Sequence, residues 1–145
     1  MRKLFSTLFI VAICTAIGFA QLAQIDMPLR VVNGSYPVKE LRFGLDETAT
    51  TGIDLHLGEA GAPPFPPPGA FDAKWDLVPY GVNWQVYKDY RNAPSFPYTG
   101  VVEHKVMWQP GTGAPTVVME YELLAGASIV IKDRITGTLF NSGPL

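Results

Sequence analysis

The chain has 145 residues, is 48% hydrophobic and 12% aromatic, and carries 11 basic against 13 acidic residues. Its mild negative charge excludes recognition of nucleic acid through phosphates. The single cysteine, Cys14, excludes an internal disulfide.

Residues 1–20 read as a secretory signal peptide. Arg2 and Lys3 form a basic start, Leu4 to Ala20 carries no charge, and Gly18-Phe19-Ala20 offers small residues for cleavage after Ala20. Cleavage after Ala23 is the second choice. A membrane anchor is the competing reading. The apolar run falls just short of the ~20 residues that span a bilayer, and no basic stop-transfer cluster follows Gln21 and Gln24. Cleavage removes Cys14, Arg2 and Lys3, so the mature chain is thiol-free and more acidic. Roughly 125 residues remain, enough for one domain with a core of its own.

Period-two alternation dominates the mature chain and predicts strands with one buried face. Residues 21–36 form an N-terminal extension, with a strand at Leu29–Val32 ending in the turn pair Asn33-Gly34. Residues 37–145 form the main domain. Its first strand, Val38–Leu45, buries Leu41, Phe43 and Leu45. A connection rich in Asp and Thr follows, with a single helical turn expected around Thr48–Thr51. Residues 61–69 then hold five prolines in the six positions Pro63–Pro68. Neither a helix nor a central strand passes through such a run, which reads as a semi-rigid polyproline spacer.

After it, Ala70–Val78 places Phe71, Ala73, Trp75 and Leu77 inward and Asp72, Lys74 and Asp76 outward. Gly81–Arg91 places Val82, Trp84, Val86 and Tyr90 inward, against Asn83, Gln85, Tyr87 and Asp89. Val101–Gln109 turns Val106 and Trp108 inward. Thr116–Leu124 buries Val117, Met119, Tyr121 and Leu123. Ser128–Lys132 and Thr136–Asn141 complete the set. Turn chemistry at Asn92-Ala93-Pro94, Pro110–Pro115, Ala125-Gly126 and Thr136-Gly137 separates them. The expectation is an all-β antiparallel sandwich of seven or eight strands. Its structural core is Phe43, Phe71, Trp75, Trp84, Trp108 and Tyr121.

Three stretches carry a resemblance. They are Phe43–Asp54 with Leu57-Gly58-Glu59 and the proline run, then Lys88-Asp89-Tyr90-Arg91, then Val106-Met107-Trp108 with Leu123–Gly137. Together they resemble a β-sandwich module of secreted and surface proteins of Bacteroidetes, Ignavibacteria and related bacteria, often exported by the type IX system. The resemblance covers about Leu41 to the end. It implies an immunoglobulin-like, non-catalytic module. The C-terminal sorting domain that often accompanies such modules is not read in Ser142–Leu145.

Candidate sites are few. Asp46, Asp54 and Glu59, with Thr48 and Thr50 around Gly52, space oxygen ligands as a calcium loop does, although the EF-hand pattern is not met. The competing reading is a loop whose side chains cap its own backbone. Calcium is the one cofactor the sequence raises. His56 and His104 lie in no catalytic motif, so no enzyme is expected. Tyr80 and Tyr87 are the candidates for a ligand-binding surface patch. Asp89 and Arg91 read as an ion pair on one strand face.

The expected function is a non-catalytic structural or adhesive surface module, such as a subunit of an extracellular filament. The alternative is a carbohydrate- or ligand-binding accessory module. Protein partners, including further copies of the chain, rank first and polysaccharide second, with no nucleic acid and no membrane after cleavage. Export through the general pathway leads to the extracellular space or cell surface, or else the periplasm.

Overall fold

The computed structural model describes residues 21–133 and 135–140. The expected leader over 1–20 and the residues from Asn141 onward lie outside them. Among the described residues are nine strands: β1 (Ile25–Val32), β2 (Lys39–Asp46), β3 (Asp72–Asp76), β4 (Gln85–Val86), β5 (Lys88–Asn92), β6 (Val106–Gln109), β7 (Val118–Tyr121), β8 (Ile131–Lys132) and β9 (Leu139–Phe140). The all-β expectation holds. The single helical turn lies at Leu55–Leu57, not around Thr48–Thr51, and a second occurs at Val78–Tyr80.

The strands form one sheet of order β5-β2-β1-β7, a second of order β4-β3-β6, and a β8-β9 hairpin. The core lies between the two larger sheets. Leu29 and Val31 of β1 and Leu41 and Phe43 of β2 pack with Phe71, Ala73, Trp75, Leu77 and Val86 from the second sheet and its flanks. The Trp75 indole donates to the Arg42 carbonyl at 2.8 Å and so ties the second sheet to the first. Phe43 packs on the Trp75 ring with centroids 5.6 Å apart.

Four expectations are corrected. First, residues 21–36 are not an extension. They hold β1, which pairs with β2 along its length and with β7 over Leu29–Val32. Second, the sheets are not wholly antiparallel, because β2 and β5 run parallel with Phe43 opposite Asp89. The chain between them visits the second sheet, which is the long crossover a parallel pair requires.

Third, the strand expected over Gly81–Arg91 is two strands in different sheets. Val86 ends β4 opposite Trp75, and Lys88 begins β5 opposite Arg42, with Tyr87 between. The switch inverts the alternation. Asp89 and Arg91 now share the inner face with Phe43 and Leu45, while Tyr90 lies on the opposite face beside Gly44, buried in a second cluster with Ala49 and Leu57. A tight turn at Asn83, closed by the Trp84 amide donating to the Val82 carbonyl at 2.8 Å, also shifts the phase. Trp84 is therefore 55% exposed and not core. Trp108 is 44% exposed for another reason. It stands opposite the buried Ala73, on the inner face, but β6 is the last strand of its sheet. Of the other expected core residues, Phe43, Phe71 and Trp75 are buried and Tyr121 packs partly buried against them.

Fourth, the outward face of β3 is not solvated. Asp72, Lys74 and Asp76 are all buried, Lys74 completely. The proline-rich segment covers this face. Its prolines have carbonyls but no N–H, so the strap presents acceptors and almost no donors. Side chains beneath supply what is missing. Lys74 Nζ donates to the Pro63 carbonyl and lies 4.3 Å from the centre of the Phe65 ring. Gln109 Nε2 donates to the carbonyls of Pro66, Pro67 and Ala70 at 3.2, 3.1 and 2.8 Å. Asp72 balances the Lys74 charge at 3.0 Å and also meets Lys39 at 3.1 Å.

At the far end Asn33, fully buried, donates to the carbonyls of Ala114 and Thr116 and accepts from the Gly111 amide. It thereby fixes the turn between β6 and β7.

Replacing Lys74 by Met removes the donor and the charge together. Loss of a buried, paired charge costs about 3 kcal/mol or more. Urea denaturation of Lys74→Met is expected to show that loss, whereas Lys132→Met, on an exposed side chain, is expected to leave stability unchanged.

Candidate functional site

The inversion at Tyr87 brings charged groups together inside the fold. Asp89 Oδ2 accepts from Arg91 at 3.0 Å and meets His104 Nδ1 at 2.8 Å. The Arg91 guanidinium lies 3.8 Å over the Tyr80 ring. His104 packs edge-on against Phe43, with centroids 5.3 Å apart, and against Trp75 at 5.6 Å. Asp89 and Arg91 are both buried, and Asp89 Oδ1 and Arg91 Nε have no partner among the described residues. The ion pair expected from the sequence is thus present, with His104 as an added member.

A shallow cleft of about 320 Å³ opens beside this cluster. Thr50, Thr51, Tyr80, Arg91, Asn92 and Glu103 are among the residues that line it. Tyr80, expected as a surface ligand contact, lines it while its hydroxyl donates to the Glu103 carbonyl at 2.8 Å. Burial raises its phenol above the ordinary range, against the pull of Arg91. Tyr87, its expected companion, is at the sheet switch and packs partly buried against the core. Tyr87 is not among the residues that line the cleft.

The calcium-loop residues have other occupations. Asp46 Oδ1 accepts from the Thr48 amide and hydroxyl at 2.8 and 2.6 Å, and Oδ2 from the Gln24 amide at 3.2 Å. Burial pushes the Asp46 carboxyl up, but these bonds outweigh it and hold it below the usual value. Asp54 accepts from the Thr50 amide and hydroxyl at 2.7 and 2.9 Å. Glu59 accepts from the Asp54 amide at 2.8 Å and the Tyr90 amide at 2.6 Å. Each carboxylate is spent on backbone, as the competing reading expected. Among the described residues no group of three or more His, Cys, Asp or Glu is placed to hold a metal ion.

Glu59 has a further role that spacing did not reveal. It joins the 46–59 loop to β5 and takes an amide that this edge strand would otherwise offer to another strand. On the same outer face, Arg42 grips Asp26 through two bonds of 2.8 Å, and the Tyr90 hydroxyl donates to Asp26 at 3.1 Å. Burial pushes the Asp26 carboxyl up, yet these partners leave it below its ordinary value.

A second depression, of about 450 Å³, is apolar and lined by Ile53, Leu55, Gly61 and Trp84. Leu55 and Trp84 are both exposed there. No family model, curated protein or solved structure matches the chain.

Two outcomes follow from these carboxylates. Burial pushes Glu59 up to about 7, against its two amide bonds and with the help of the Asp54 and Asp89 charges. The unfolded chain releases this proton near the ordinary carboxylate range, so the native state holds more protons between the two values. Stability is then lost as pH rises through that window. From pH 5 to pH 8 the wild type is expected to lose about 2 kcal/mol relative to Glu59→Gln, and parallel pH curves for the two proteins contradict this. Calcium, in turn, is expected to leave the melting temperature where chelator leaves it, and a rise with calcium contradicts the capping assignment.

Proposed function

We propose that the chain is a secreted, non-catalytic structural or adhesive surface module with an immunoglobulin-like sandwich, and a subunit of an extracellular assembly. Residues 1–20 direct it into the general export pathway and are removed after Ala20. The mature protein acts outside the cell or at its surface.

One observation carries this reading. The charged and polar side chains raised as candidates are largely buried and have partners within the protein, while several large apolar side chains face solvent. Asp46, Asp54, Glu59, Asp72, Lys74, Asp89, Arg91 and His104 each have a protein partner. Leu55, Trp84, Trp108 and Val118 are exposed. Solvent-facing tryptophan and leucine are the material of interfaces. The passage of the chain between sheets at Tyr87 and the stretches around Asp46–Asp72 support the immunoglobulin-like assignment.

Exposed Trp84 also favours a second reading, a carbohydrate-binding accessory module, because a free indole face stacks on sugar rings. Expression with the leader, recovery of the secreted protein and N-terminal sequencing separate the two. The proposal expects Gln21 as the first residue and filaments or large oligomers on size-exclusion chromatography and electron microscopy. A monomer retained on a polysaccharide column overturns it in favour of the second reading.

A further inference from the structure

The pair Asn33-Gly34 is the one Asn-Gly step in the chain. Asparagine is chemically labile, and most so before glycine, where no Cβ shields the next backbone nitrogen. That nitrogen is then free to attack the asparagine side-chain carbon in a mobile chain.

In the fold neither group is mobile. The Asn33 side chain is fully buried and its carboxamide is held from both ends. Nδ2 donates to the Ala114 and Thr116 carbonyls at 2.7 and 2.8 Å, and Oδ1 accepts from the Gly111 amide at 2.8 Å. The backbone that follows is held as well. The Tyr36 amide donates to the Asn33 carbonyl at 3.1 Å. Gly34 has φ +55°, and a Cβ on it would come within 3.1 Å of the Ala114 Cβ. The turn after β1 therefore lies against the 111–116 connection, and the carboxamide cannot rotate without breaking three hydrogen bonds.

We infer that Asn33 is a site of spontaneous deamidation, with water as the only co-reactant, that the fold holds closed and unfolding opens. In the unfolded chain the Gly34 nitrogen gives up its proton and bonds to Asn33 Cγ. The side-chain nitrogen takes a proton and leaves as ammonia, so a five-membered succinimide forms. Water then adds to one of its two carbonyl carbons and opens the ring. One opening gives aspartate at position 33, and the other gives isoaspartate, whose main chain runs through Cβ. Nothing is oxidised or reduced.

Either product is wrong for the site. The Ala114 and Thr116 carbonyls need donors, and a carboxylate has none. Isoaspartate also adds one carbon to the main chain directly after β1, where Val32 is in register with Val118. Asn33 fixes the turn between β6 and β7, so a deamidated chain does not close that end of the fold. Deamidation is thus a one-way mark: a molecule that stays unfolded acquires it and does not return to the native state.

The test incubates the protein in mildly alkaline buffer, native in one sample and unfolded by guanidinium in the other. Peptides that contain Asn33 are followed by mass spectrometry for replacement of NH2 by OH. Deamidation of Asn33 is expected to be about tenfold or more slower in the native sample, because the buried hydrogen bonds must open first. Equal rates overturn the inference. The unfolded sample is also diluted into refolding buffer at intervals, with freshly unfolded protein defining full recovery. Recovery of the native near-ultraviolet circular dichroism is expected to fall in step with deamidation at Asn33, and refolded material that retains the modified residue overturns the one-way mark. Asn33→Asp, made directly, separates this change from other damage. It is expected to be destabilised or unfolded, and wild-type stability in Asn33→Asp overturns the assignment for the aspartate product.

Discussion

A single buried cation, Lys74, holds the outer side of the second sheet in place. A run of prolines cannot join a sheet, because it lacks donors, and it cannot be left over an apolar face without satisfying its carbonyls. Lys74 resolves both difficulties. It stands at the centre of β3, neutralised by Asp72, and points its donors at the strap that covers it. The Phe65 ring closes over the ammonium, and Gln109 on the neighbouring strand repeats the device with a neutral amide. Covering β3 on both faces lets its other side, with Ala73 and Trp75, form the floor of the core.

The same economy governs the rest of the polar side chains. Asn33 closes one end of the fold by satisfying three backbone groups of the β6–β7 turn. Asp46, Asp54 and Glu59 satisfy the backbone of a long irregular loop and fasten it to β5. Asp89, Arg91 and His104 fill the inner face where β5 enters the first sheet. Carboxylates committed in this way are poor candidates for acid-base work, which needs a group that reaches a substrate.

Much of the fold was legible as alternation, and the failures have identifiable causes. β2, β3 and β7 are legible because each lies in a stretch of period-two spacing, whereas only the Leu29–Val32 end of β1 is, through its Asn33-Gly34 turn. Within Gly81–Arg91 the spacing is equally regular, yet a turn at Asn83 and a change of sheet at Tyr87 each reset the phase. Periodicity reports which residues share a face only while the strand continues. Alternation places Trp84 inward on a strand that does not exist as one piece, and Tyr90 is buried as expected but on the other face of its sheet. Trp108 was assigned to the right face, but which strand ends a sheet is not encoded locally. Asp72, Lys74 and Asp76 were read as solvated because charged residues alternating on a strand ordinarily are. The signal that would have corrected this was present in the five prolines upstream, whose carbonyls require donors from elsewhere in the chain. The loop carboxylates suggest a calcium loop by their spacing, and in the fold their partners are amides and hydroxyls of the chain itself.

The burial of Lys74 beneath the proline strap is the claim on which the account of this fold rests, and amine labelling under native conditions addresses it directly. The protein is treated with an acylating reagent, and modification at each lysine is followed by mass spectrometry of peptides. Lys132 is exposed and serves as the internal reference. The account predicts that Lys74 stays unmodified while Lys132 reacts, and that Lys74 becomes reactive only when the protein is unfolded. Modification of Lys74 at the rate of Lys132 in the folded protein contradicts it.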